Sequence, residues 1–145
     1  MMKSKTEALS PRPLSLSVRR GITGNCPHCG KGKIFSKYLK VLPKCAVCHE
    51  DLSPQRADDL PAYIVLFIVG HIVIGGMMTV ETYWEWPVMW HIILWPFLTL
   101  VLCLSLLPRV KGAIISIQWA LRMHGFNTPE DKDIPMIPNL QEFAP

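Results

Sequence analysis

Cys26-Pro27-His28-Cys29-Gly30, a gap to residue 45, and Cys45-Ala46-Val47-Cys48-His49 form the pattern C-x2-C-x15-C-x2-C, within the spacing of a four-cysteine zinc site. Each short pair wraps a tight turn that lets two thiolates reach one cation, and Gly30 can supply the positive φ that closes such a turn. Sulfur at all four positions fills a tetrahedral shell and leaves no place for water or substrate. The expected cofactor is therefore one structural Zn2+ held by Cys26, Cys29, Cys45 and Cys48. Two other chemistries stay open: a rubredoxin-like iron centre used for electron transfer or metal delivery, and thiol redox, since Cys-Pro-His-Cys also serves in thioredoxin-like oxidants. The βαβ surroundings of such oxidants are missing here. A disulfide framework would require an oxidising compartment. His28 and His49 are expected to be exposed loop residues.

The cysteines belong to a candidate zinc ribbon over residues 22–57. A unit of that size cannot fold on apolar burial, and in comparable zinc peptides the metal contributes about 10–16 kcal/mol. Lys31, Lys33, Lys37, Lys40 and Lys44 make it basic. Nucleic acid is one use for such charge, but anionic lipid beside a tethered ribbon is a simpler one.

The rest of the chain explains the tether. Of 145 residues, 50% are hydrophobic and only 18% charged, below the roughly 25% of soluble domains. Residues 62–80 and 88–107 contain no Asp, Glu, Lys or Arg. Each run is long enough to cross a hydrocarbon core of about 30 Å as a helix. What remains outside them is too small for a large catalytic domain, so the chain is expected not to be an enzyme and to have no small-molecule substrate.

Glu81-Thr82-Tyr83-Trp84-Glu85-Trp86-Pro87 joins the two runs with acids and aromatics, and Trp90 adds another ring of the kind found at membrane interfaces. The fold class predicted is thus a small zinc-ribbon β domain followed by a transmembrane helical hairpin over 58–107. Eleven of the 15 Lys and Arg precede the first run and none lies in the connection. The positive-inside rule then puts both termini in the cytoplasm. Residues 1–21, with two prolines, four serines and no apolar run of signal-peptide length, are expected to form a disordered arm. Val110, Ala113, Ile114, Ile117 and Leu121 recur at helical spacing, which predicts a separate amphipathic helix over 108–124 lying on the membrane surface, with Trp119 in the headgroup zone and a stop at Gly125. The proline-bearing tail, 125–145, is expected to be extended.

Two histidines lie inside the apolar runs. Intramembrane ionisable groups are functional candidates, but about six residues of depth, roughly 9 Å, separate His71 from His91 in an antiparallel hairpin. One ion cannot be gripped by both within one chain. A structural use is available: Pro96 frees the Ile92 carbonyl, to which His71 could donate, or else to Thr99. His91 would sit beside Trp90 at the boundary and need no partner. Ligation or proton transfer with a partner subunit stays open for both. Gly70, Gly75 and Gly76 would allow close helix approach, and Lys111 would meet headgroups or a partner.

The pattern resembles the bacterial DUF983 family of small membrane proteins with a zinc-ribbon head, common in alphaproteobacteria. The matching residues are Cys26-Pro27-x-Cys29-Gly30-Lys31-Gly32-Lys33-Ile34-Phe35, Cys45-x-x-Cys48, Asp59-x-Pro61-Ala62-Tyr63, Gly70-His71, Leu107-Pro108-Arg109-x-Lys111-Gly112 and Gln118. They span residues 22 to about 122. Leu60 and His49 stand where the family pattern has Gly. The resemblance implies location in a bacterial inner membrane. Through the neighbourhood of some members' genes it also implies an accessory or assembly role with cytochrome c oxidase, the respiratory terminal oxidase. The partners expected are membrane lipids and a larger integral membrane complex.

Overall fold

Apolar side chains on every face of residues 60–83 and 88–107 favour helices that no soluble core of this size could cover. The computed structural model describes residues 12–126. In it a nine-residue helix α1 (Leu14–Ile22) precedes a two-stranded antiparallel sheet, β1 (Phe35–Lys37) and β2 (Lys40–Val41). Two long helices follow, α2 (Leu60–Tyr83) and α3 (Val88–Ala120), and then a short 3-10 turn, Met123–Gly125. Phe35 pairs with Val41 and Lys37 with Lys40 around the Tyr38-Leu39 turn, in which Leu39 takes a φ of 61°.

Helices α2 and α3 are long and apolar enough to cross a membrane, and only 11% and 6% of their most apolar windows are buried within the chain. The core helix of a soluble protein would be mostly covered. They meet at Gly76, where an added Cβ would stand 3.0 Å from the Trp95 ring. At Gly70 and Gly75, expected to serve the same purpose, an added Cβ would have nothing within 4 Å.

Three sequence expectations are corrected. The first concerns residues 14–22, which form a helix: α1 meets α3 where Gly21 lies against Gly112 and Ser116, with Ser17 buried one turn earlier on α1. A Cβ on Gly21 would overlap the Gly112 carbonyl and Ser116 Oγ, and one on Gly112 would overlap the Gly21 carbonyl. The remainder of the arm and the tail beyond Phe126 lie outside the described residues.

Second, no separate surface helix follows Pro108, because α3 runs through it to Ala120, about 50 Å in all. Proline at 108 deprives the Leu104 carbonyl of its helical donor. The Tyr38 hydroxyl replaces it, donating to Leu104 O at 2.8 Å. Third, the last turns of α3 enter the head instead of lying on a membrane. Ile115 and Trp119 are buried there with Ile34, Leu52, Ala57 and Phe126, whereas Leu121, on the expected apolar stripe, is exposed. The helix stops at Ala120, before Gly125, because Arg122 takes the left-handed φ of 53° that ends it.

Each fully buried aliphatic side chain in this core contributes about 1.5–3 kcal/mol. The head is therefore a composite of ribbon, α1 and the end of α3, with a core the ribbon alone would lack.

Candidate metal centre

Two mirror-like knuckles build the site. In the first, the Gly30 N–H donates to Cys26 O at 2.8 Å and the Cys26 N–H to Gly32 O at 2.7 Å; in the second, the His49 N–H donates to Cys45 O at 3.0 Å and the Cys45 N–H to Glu50 O at 2.9 Å. Each turn needs a left-handed residue after its second cysteine. Gly30 has φ 70° and His49 φ 59°, so His49 keeps the turn but carries a side chain there against its steric preference. Bridges Asn25↔Lys33 and Lys44↔Asp51 hold the stems of the two turns.

The four sulfurs lie within 4.8 Å of one another. Cys26 Sγ is 3.7 Å from Cys48 Sγ, and Cys29 Sγ is 3.8 Å from Cys45 Sγ. A tetrahedron of thiolates at the usual zinc distance has edges of about 3.8 Å. The donor set therefore fits one tetrahedral cation, and the thiols are free rather than joined as disulfides. Among the described residues this is the one group of three or more His, Cys, Asp or Glu placed to hold an ion. His28 and His49 are exposed and stand outside it. Among the described residues the thioredoxin-like alternative finds no parallel strands, and the sheet is two-stranded and antiparallel.

Burial pushes the Cys26 thiol far above its ordinary range, against opposing bonds from backbone N–H groups, and burial also raises Cys48. At Cys29 burial is likewise the largest single influence, but the Gly32 and Lys31 N–H groups and the neighbouring thiols outweigh it and lower the group to about 6. A cation must expel the protons of Cys26 and Cys48 to gain their sulfurs, so its affinity falls as pH falls.

Residues that spacing did not reveal fix this centre to the rest of the head. Arg20, on α1, donates to Pro27 O at 3.1 Å and His28 O at 2.7 Å, bracing the first knuckle. Glu50, next to the second, accepts from Trp119 Nε1 at 2.7 Å. Trp119, expected among headgroups, is 3% exposed and carries the Arg12 guanidinium over its ring at 4.5 Å. Arg12 also donates to the Trp119 and Phe126 carbonyls at 2.8 and 3.0 Å, satisfying the end of α3. Gln118 mimics a strand: its Oε1 accepts from Arg56 N at 2.9 Å and its Nε2 donates to Arg56 O at 2.8 Å. Sulfur spacing marks ligands, but nothing local marks partners as distant as these.

The other candidate residues stay apart from the sulfurs. His71 is exposed and its Nδ1–H donates to Phe67 O of its own helix at 2.8 Å. It reaches neither Ile92 nor Thr99, whose hydroxyl donates to Trp95 O at 2.7 Å. His91 has partners after all: Trp95 Nε1 donates to its Nδ1 at 2.9 Å and Glu81 Oε1 lies 3.8 Å from its Nε2. Trp90 is exposed beside it, and Lys111 is half-buried where α3 enters the head.

The family model described as "Protein of unknown function (DUF983)" matches residues 35–119. No curated protein and no solved structure matches the chain. The matched span includes Cys45, Cys48, α2 and α3 to Trp119, and begins after Cys26 and Cys29.

Proposed function

This chain belongs to the DUF983 family, and from that premise we propose that it is a non-enzymatic accessory subunit or assembly factor of a bacterial inner membrane, stiffened by one structural zinc. The observation that carries this reading is the tetrahedral sulfur cluster joined, through Glu50 and Trp119, to the end of a helix long and apolar enough to cross a bilayer. Zinc held by Cys26, Cys29, Cys45 and Cys48 would supply folding energy and no open coordination position. Both termini lie in the cytoplasm on the charge argument, and the Glu81 to Pro87 connection faces the other side.

A head rigidly joined to two lipid-facing helices suits docking on a larger integral membrane complex. The complex favoured is a respiratory terminal oxidase, on the gene neighbourhood that the family resemblance implies. Elemental analysis of the purified chain should give one zinc and no visible absorption. A coloured iron–tetrathiolate would replace this reading with electron transfer or metal delivery. Copurification in gentle detergent should bring down a stable membrane complex, and a chain that always isolates alone would remove the accessory role.

A further inference from the structure

Where the ribbon meets α3, a half-open cavity of about 660 Å³ lies between β1, the segment after α1 and the last turns of the apolar run. This volume is within the roughly 300–1,000 Å³ of small-ligand sites. Lys33, Lys37 and Arg109 line it, and no Asp or Glu does. Among the described residues neither lysine nor Arg109 has an ion-pair partner, so three positive charges gather there with no acid of those residues against them. Their separation is fixed by the frame. Lys33 sits in the bridge to Asn25, and Lys37 adjoins Tyr38, whose hydroxyl is tied to Leu104 of α3. Arg109 donates one N–H to Ser105 O at 2.8 Å and keeps the rest of its fork for a ligand.

The lining is two-faced. Asn25 gives one amide N–H to Thr23 Oγ1 and keeps the other beside the cations, while Phe35 and Pro108 form an apolar wall. Ser105 and Pro108 mark the end of the charge-free run, so the cavity opens at the level where lipid-facing helix gives way to polar head.

We propose that this cavity binds the phosphate of an anionic phospholipid headgroup, with Lys33, Lys37 and Arg109 as its cationic ligands and the apolar wall against the glycerol end. The level of the cavity rests on the reading that α2 and α3 cross a bilayer. Phosphate is the chemistry recognised, and free inorganic phosphate is the other source of it.

Native mass spectrometry of the full-length protein in detergent, offered equal phosphatidylglycerol and phosphatidylcholine, tests the assignment. Wild type should retain phosphatidylglycerol in preference. Neutralising the pocket should weaken that preference by about fivefold per charge, so the triple variant Lys33→Gln, Lys37→Gln, Arg109→Gln should lose it while keeping its metal content. Lys31→Gln with Lys40→Gln, outside the cavity, should leave it unchanged. Equal retention of both lipids by wild type, or an unaltered preference in the triple variant, overturns the proposal. Displacement of the lipid by millimolar inorganic phosphate would reassign the cavity to the free ion. Resistance to carbonate extraction reports the membrane crossing separately, so a protein that resists yet shows no preference sinks the pocket alone.

Discussion

Ile34, Leu52 and Ile115 in the head are wholly buried, whereas Leu66, Phe67 and Phe97 in the hairpin stand 65–70% exposed. The two regions bury their apolar side chains to very different extents. The head excludes water by packing strands, α1 and the end of α3 around a small core, and needs the sulfur cluster because that core is small. The hairpin buries little of itself, and its helices are long and apolar enough for lipid to cover them. The head should then be sensitive to metal and to single contacts, and the hairpin should be indifferent to both.

Metal loss should separate the regions most. Cys29→Ser, or a strong chelator, removes folding energy on the order of 10 kcal/mol. The head should become protease-sensitive and α3 should fray beyond Arg109, while the protein still resists carbonate extraction. Loss of insertion as well would erase the contrast. Next comes Gly112→Val, which forces side-chain atoms into the Gly21 carbonyl. It should destabilise the head by about 3 kcal/mol, read as a lower thermal midpoint and trypsin cleavage at Arg19 and Arg20. An unchanged midpoint would mean that α1 does not cross α3 there.

A smaller change tests the joint between the regions. Tyr38→Phe removes the donor to Leu104 O, at a cost of about 1 kcal/mol. Amide exchange should quicken around residues 104–109 and leave residues near Ile115 protected. Smallest is His49→Gly, which relieves a left-handed side chain but loosens the unfolded chain. A net gain of about 0.5 kcal/mol is expected, visible as slower metal release to a chelator. Faster release would show that the His49 side chain supports the knuckle.

The sulfur ligands and both apolar helices were legible because each is announced by a local pattern, spacing in one case and unbroken hydrophobicity in the other. The composite head was not. Gly21, Gly112 and Ser116 form a crossing out of small residues, which leave no apolar stripe to read. Pro108 suggests a break, but α3 runs through it with a hydroxyl from residue 38 on the freed Leu104 carbonyl. Trp119 looked interfacial because neither Glu50 nor Arg12 is near it in sequence. These misses share one cause, in that each depends on a partner many residues away.

The inclusion of Ile114, Ile115, Trp119 and Phe126 in the core around Ile34 sets an order of events during synthesis. The ribbon leaves the ribosome first, yet the residues that complete it emerge only after both hydrophobic segments have been made. Completion of the metal module must wait for the two long apolar helices, and a chain that stops short of Ile114 presents its ribbon half-built to the cell's proteases.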